Sequence, residues 1–318
     1  MARPLRDPDE LFALARTGDR GALAKLLSLI ERGGEGARRV GRLSYPLGGT
    51  AYTVGLTGAP GAGKSTLTSA AIAHLRSRDT EVAVLAIDPS SPFTGGAILG
   101  DRVRMQDHAT DPGVFIRSMA TRGHLGGLSL ATPEAIRLLD AVGREWVLVE
   151  TVGVGQVEVE VAGKADTTVV VVNPGWGDAV QANKAGLMEI ADVFVINKAD
   201  RKGVEESRRD LELMLDLSDL GEWRPPIVTT VASTGEGVAE MWEQVTNHRR
   251  NAEVTGLLAR RREQRLREEL REIMMRRLDA RARELCGGDE YDRLTGEVLA
   301  RRLDPWSAAD QMLAGVGA

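Results

Sequence analysis

Between an apolar run at residues 53–56 and an apolar-periodic stretch that starts at Lys64 lies Gly58-Ala59-Pro60-Gly61-Ala62-Gly63-Lys64-Ser65, a complete match to G-x-x-x-x-G-K-[ST]. Thr53-Val54-Gly55-Leu56 reads as a buried strand, and residues 64–78 read as a helix with Leu67, Ala71 and Leu75 on one face. The glycines let successive backbone N–H groups turn inward around a polyphosphate, and the following helix start adds its positive dipole end. Lys64 is expected to reach the outer phosphates, the Ser65 hydroxyl to bind Mg²⁺, and Thr66 to close the loop residues. The plain alternative is a glycine-rich strand-to-helix turn that binds nothing. A full match in strand–helix context favours a nucleoside triphosphate site.

The surrounding text fits such a site. Short β-branched runs at 54–56, 82–87, 114–116, 146–149, 168–172, 193–196 and 227–231 alternate with helical patterns, as in βαβ units of a parallel sheet. They are nearly continuous in Val, Ile and Leu, which suits strands covered on both faces. The expected fold is therefore an α/β P-loop NTPase with a mostly parallel central sheet flanked by helices, plus helical extensions at both ends. Its expected divisions are residues 1–45, 46–248 and 249–318. At the start, Asp7-Pro8 caps and opens one helix, Gly18 stops it, Asp19 caps the next, and Gly33-Gly34 breaks that one. At the end, Leu266, Leu270, Ile273, Leu278 and Leu285 recur at helical spacing until Gly287-Gly288. Glu263, Glu268, Glu269 and Glu272 interleave with the arginines there, so a salt-bridged face is expected rather than a nucleic-acid surface. Such an amphipathic arm must bury its stripe, and a symmetric homodimer is the simplest way.

Composition narrows the function. A chain of 318 residues accommodates one nucleotide domain with appendages. Its net charge of -5 and 4% aromatic content argue against nucleic acid as a partner. Cys286 is the single cysteine, and His74, His108, His124 and His248 have no metal-ligand spacing. The first eight residues lack the apolar core of a secretory signal, and no apolar run is long enough to span a bilayer, so the expected location is cytoplasmic.

Further polar motifs fall where strands end. Asn197-Lys198-Ala199-Asp200 fits the N-K-x-D guanine signature: the Asp200 carboxylate can accept from the guanine N1–H and exocyclic amine, a donor pair that adenine lacks. Glu150-Thr151-Val152-Gly153 stands where a D-x-x-G terminal-phosphate sensor belongs, with glutamate for aspartate. Asp88, opening Asp88-Pro89-Ser90-Ser91-Pro92, is expected to face the Mg²⁺ or the attacking water; Asp101 lies in a Gly-containing stretch able to move with nucleotide state, a solvated surface acid being the equal alternative. Residues 121–127 and Pro174-Gly175-Trp176-Gly177-Asp178 are glycine-rich loops of the kind that rearrange when γ-phosphate is lost.

Taken together these segments, with Glu150-Thr151-Val152-Gly153-Val154-Gly155-Gln156 and the closing Asp304-Pro305-Trp306-Ser307-Ala308-Ala309, resemble the MeaB/ArgK-type GTPases. These are G-protein chaperones of adenosylcobalamin-dependent methylmalonyl-CoA mutase. The resemblance implies hydrolysis of GTP to GDP, coupled to loading and protection of an adenosylcobalamin-dependent acyl-CoA mutase, in a homodimer built through the C-terminal arm. It implies a Mg²⁺ site at Ser65, Asp88, Asp101 and Glu150 beside Lys64, and an extra switch over residues 173–184 with Lys184 as its charged contact. Where many relatives carry Ser-Ala in the last guanine loop, this chain has Val231-Ala232-Ser233, whose Ala232 N–H is expected to meet the guanine carbonyl oxygen. The rival readings are a P-loop small-molecule kinase, a nickel-type metallochaperone GTPase, which typically needs a His/Cys cluster, and a non-catalytic arginine-rich scaffold.

Overall fold

The computed structural model describes residues 7–88, 108, 110–120, 125–151, 164–175, 189–218 and 221–314, without the side chains of residues 88, 120 and 125–130. Helix α1 (Pro8–Arg16) starts as its sequence predicts, with the Asp7 carboxylate accepting the Asp9 N–H at 3.1 Å. Helix α2 (Arg20–Arg32) is capped by Asp19, which accepts the Ala22 N–H at 2.9 Å. It stops at Gly33, whose φ of 71° lies where a side chain is strained. Helix α3 (Gly34–Ser44) follows.

The seven expected strands all form: β1 (Tyr52–Gly58), β2 (Val82–Asp88), β3 (Val114–Ala120), β4 (Trp146–Thr151), β5 (Thr167–Val172), β6 (Val193–Asn197) and β7 (Ile227–Thr230). They make one sheet in the order β3-β2-β4-β1-β5-β6-β7, and every pairing is parallel. Helices α4 (Lys64–Arg76), α5 (Leu125–Ala141), α6 (Val204–Asp216) and α7 (Val238–Val254) connect them or follow the last.

The period of two along each strand sorts side chains onto the two faces. In β2, Val82 and Val84 pack with Leu67, Ala71, Ile72 and Leu75 of α4 and Met241, Trp242 and Val245 of α7. Ala83, Leu85 and Ile87 point the other way, into a cluster with Ala135, Leu138 and Leu139 of α5. Leu11, Phe12, Leu23, Leu26, Leu27, Ile30 and Val40 join that same cluster. The three N-terminal helices, expected as an appendage, thus help form the cover of one sheet face. Their apolar stripes leave water against β2, β3 and β4, and the Arg117 side chain of β3 reaches Ser28 at 3.0 Å and pairs with Glu31. On β5 and β6, Val170, Val172, Phe194 and Ile196 meet Leu211 and Leu215 of α6.

At the amino edge of the sheet, two buried acids immediately precede strands: Asp166 before β5 and Asp192 before β6. Helix α8 (Leu257–Leu285) answers them in its first turns. Arg262 holds Asp166 through two bonds, Nε to Oδ1 at 3.1 Å and Nη2 to Oδ2 at 2.6 Å, and also donates to the carbonyls of Gly49 and Ala51. Arg261 clasps Asp192 at 2.9 and 3.0 Å. His248 of α7 approaches Asp192 at 3.2 Å with Nε2 and Thr167 at 2.8 Å with Nδ1.

By density of contacts the chain divides into Met1–Arg262 and Glu263–Ala318, and residue 248 falls within α7. In the second unit, α9 (Asp289–Leu299) and α10 (Pro305–Ala314) bury Leu294 and Ala308. Its part of α8 carries the expected ion pairs, Arg267–Glu263 at 2.6 Å and Arg276–Glu272 at 2.8 Å, and leaves Leu266, Leu270, Met274 and Leu278 exposed. No described helix is long and apolar enough to cross a membrane.

Candidate nucleotide site

From β1 the chain works outward to β2 and β3, returns to β4, then crosses β1 to β5. The order reverses at β1, so a crevice opens beyond its carboxyl end, where ligands of open parallel sheets bind. The phosphate-loop motif occupies that end.

Gly58 closes β1 at φ 135°, and a Cβ there would lie 1.9 Å from the carbonyl oxygen of Val171 on β5. Only glycine permits the chain to leave the strand so close to its neighbour. Gly61 and Gly63 also have positive φ, 72° and 92°, and the loop then enters α4 directly. Pro60, Gly61 and Thr66 are exposed, Ala59 and Gly63 half-buried, and Ala62, Lys64 and Ser65 buried. The Lys64 ammonium is drawn back over the loop, donating to Gly58 O at 2.6 Å and Ala59 O at 3.4 Å.

Ser65 lies beside Glu150, because β4 neighbours β1. The Ser65 hydroxyl donates to Glu150 Oε1 at 2.5 Å, and Glu150 is fully buried. A hydroxyl and a carboxylate held together at a phosphate loop are hard oxygen donors, a pairing that suits Mg²⁺ better than a soft metal. Asp88 ends β2 on the same edge, its side chain outside the described residues. Asp101, Lys184, the segment 152–156 and Trp176 also lie outside them, as do residues 121–124. Among the described residues no cluster of His, Cys, Asp and Glu could hold a metal ion by itself.

The guanine-type motif sits against the phosphate loop. Asn197 ends β6 and is buried; its Nδ2 donates to Ala62 O at 2.8 Å. A Cβ on Gly63 would come within 2.5 Å of that Nδ2, so the missing side chain at 63 makes room for Asn197. Lys198 has φ 60°, costly for a long side chain, and its Nζ donates to Gly61 O at 2.6 Å. Asp200 follows, exposed on the same rim. Val231, Ala232 and Ser233 come directly after β7. The Ala232 N–H, expected to face the guanine carbonyl, here donates to Asn197 Oδ1 at 3.1 Å.

Sequence reasoning overlooked Thr230 and the Arg261/Arg262 clasp. The signal for the latter was present, since Ala-Asp precedes a β-branched run at both Asp166 and Asp192. Which arginines would answer was hidden within an arginine-rich helix.

Known proteins share this arrangement. The family described as Methylmalonyl Co-A mutase-associated GTPase MeaB matches residues 23–286. A Pyrococcus abyssi protein that carries a GTPase name is 51% identical over 310 residues, covering 96% of this chain and 95% of that one. GTPase ArgK of Escherichia coli is 37% identical over 297 residues, 89% of this chain and 88% of its own. The mouse protein named methylmalonic aciduria type A homolog, mitochondrial, is 34% identical over 279 residues, 80% of this chain and 66% of its own. Among solved structures, one described as an LAO/AO transport system kinase superimposes with a TM-score of 0.73 at 27% identity, over 100% of both chains.

Proposed function

The chain belongs to the MeaB family of methylmalonyl-CoA mutase-associated GTPases, and on that footing we propose that it hydrolyses GTP to GDP and phosphate as a G-protein chaperone of an adenosylcobalamin-dependent acyl-CoA mutase. The observation that carries the nucleotide reading is the pair of bonds from Asn197 and Lys198 to Ala62 and Gly61. They join a base-selecting motif to a phosphate-binding one on a single rim.

In this reading Asp200 accepts from the guanine N1–H and 2-amino group, and adenine, which has no such adjacent donor pair, leaves the carboxylate unmatched. The N–H groups of the turn from Gly61 to Ser65, backed by the start of α4, cradle the phosphates. Lys64 releases its loop carbonyls and turns to the outer phosphates, where its charge offsets what develops on the γ-phosphoryl oxygens. Ser65 and Glu150 would hold Mg²⁺, and its contribution when bound is to neutralise charge on the β- and γ-phosphate oxygens. Asp88, at the end of β2, is the residue proposed to orient the attacking water. Asp101 and Lys184 keep the roles the resemblance implies, metal-site partner and switch contact. No arginine finger in cis is assigned, so turnover of the isolated protein is slow and the mutase accelerates it.

The exposed Leu266, Leu270, Met274 and Leu278 stripe supports a homodimer through the C-terminal arm. Cytoplasmic residence is part of the proposal.

The test has two steps. Calorimetry of the full chain with Mg²⁺ is expected to give tighter binding of GTP than ATP; the reverse order removes the guanine reading. Phosphate released from GTP is expected in water rather than on a metabolite, and pull-down from source-cell extract with a non-hydrolysable GTP analogue is expected to recover a B12-dependent acyl-CoA mutase. Transfer to a small-molecule acceptor would make the chain a kinase. Reproducible absence of any such mutase removes the chaperone role and leaves the GTPase.

A further inference from the structure

The Asn197 amide nitrogen is able to serve two partners at once. Nδ2 binds the phosphate loop at Ala62 O, and an amide nitrogen has a second hydrogen to offer a base. Both ends of this amide must therefore point correctly, yet an amide can turn about its terminal torsion, which is broad and soft. What opposes that turn is on the neighbouring strand.

Thr230 lies directly across from Asn197 in the β6–β7 register and is 1% exposed. Its hydroxyl donates to Asn197 Oδ1 at 3.1 Å, beside the Ala232 N–H at the same distance. Its carbonyl accepts the Ala199 N–H at 3.0 Å. Thr230 thus grips the Asn197–Asp200 turn from both sides of the peptide chain. The carbonyl bond is available to any residue type, whereas the hydroxyl bond needs Thr or Ser. Turning the amide over would set Nδ2 against the Ala232 N–H and Oδ1 against the Ala62 carbonyl, so those backbone groups decide which end faces Ala62; the Thr230 hydroxyl, able to donate or to accept, adds the side-chain bond that holds the amide at that angle.

We propose that Thr230 is a positioning residue for nucleotide binding: its hydroxyl anchors the Asn197 amide in place and thereby holds the guanine motif in register with the phosphate loop. The proposal rests on the guanine-nucleotide reading above and adds to it a residue outside the motif. Thr230 acts only through Asn197, so its contribution belongs to affinity for nucleotides that span both loops and not to the chemical step.

The experiment measures GDP and GTP dissociation constants, kcat at saturating GTP and thermal midpoints for the full-length wild type, Thr230→Val, Thr230→Ser, Asn197→Ala and the Asn197→Ala/Thr230→Val double variant. Valine keeps the volume and strand preference but has no donor. Thr230→Val is expected to weaken GDP and GTP binding about tenfold, the scale of one buried hydrogen bond, with kcat unchanged within about twofold. Thr230→Ser is expected to restore binding to within about twofold. In the Asn197→Ala background, adding Thr230→Val is expected to change affinity less than about twofold, since residues acting as one unit are not additive. Thr230→Val binding GDP as tightly as wild type, serine failing to rescue, or full additivity with Asn197→Ala would each overturn the positioning role. A wild type that prefers ATP would instead overturn the guanine reading beneath it.

Discussion

Gly58 and Gly63 each stand where a β-carbon has no room, but for different reasons. At Gly58 the obstacle is backbone, the Val171 carbonyl 1.9 Å from the missing Cβ, combined with φ 135°. At Gly63 it is the Asn197 amide, a side chain rather than backbone. Gly58→Ala is accordingly expected to destabilise the folded chain by about 3 kcal/mol or more, because strain at φ > 0 and displacement of β5 add together. Urea unfolding of the variant would read this, and an unchanged midpoint would contradict it. At Asp200 the prediction is one of specificity. An amide in place of the carboxylate offers a donor where guanine also donates, so Asp200→Asn is expected to weaken GTP binding about 100-fold and to favour xanthosine nucleotides, measured by competition calorimetry.

Among the elements, α8 meets the sheet through charge as well as apolar contact. Asp192 is buried, which pushes its carboxyl up, but His248 and Arg261 beside it outweigh burial and hold it below the ordinary 3.8. A carboxyl depressed in the folded state adds stability above its unfolded pKa, and that stability is lost as pH falls through the folded pKa. Arg261→Met removes one of the two opposing groups and leaves burial less opposed, so the folded pKa rises. The acid-unfolding midpoint is then expected to move to higher pH, by about one unit, as followed by circular dichroism. A midpoint that stays in place would mean that His248 alone sustains the carboxylate. Arg262 makes a comparable pairing, since Asp166 is 1% exposed and accepts from Arg262 at two positions. Arg262→Ala would strip the arginine from that buried charge while the Thr53 N–H still donates to it at 3.0 Å, and a loss of about 3 kcal/mol is expected on unfolding by guanidinium.

For the whole molecule, the second unit places Leu266, Leu270, Met274 and Leu278 in water along one helix row, with exposures of 44%, 59%, 55% and 62%. If two copies meet there, Leu270→Glu/Met274→Glu is expected to halve the mass seen by light scattering and to leave GTP affinity unchanged; a wild type already monomeric would remove the dimer from the proposal. The amino-acid sequence alone was enough to locate the phosphate loop, the seven strands and the buried row Leu67, Ala71 and Leu75 on α4. Each of these is a local or periodic property, set by glycine spacing, β-branching and the helical repeat. The fold class was legible for the same reason, the Asn197-Lys198-Ala199-Asp200 string stood out at a strand end, and Asp7 and Asp19 announced the first two helices by capping them. Asp88, Asp101 and Lys184 carry sequence signals as well, although their side chains lie outside the described residues. Tertiary structure decided who answers whom: Asn197 and Ala62 are 135 residues apart, Arg262 and Asp166 are 96 apart, and Thr230 gains its partner only because β7 lies beside β6. Partnerships of that kind depend on strand order and register, which no single stretch of chain encodes, because a side chain's chemistry states what it can bind while the packing of distant elements selects the group it meets.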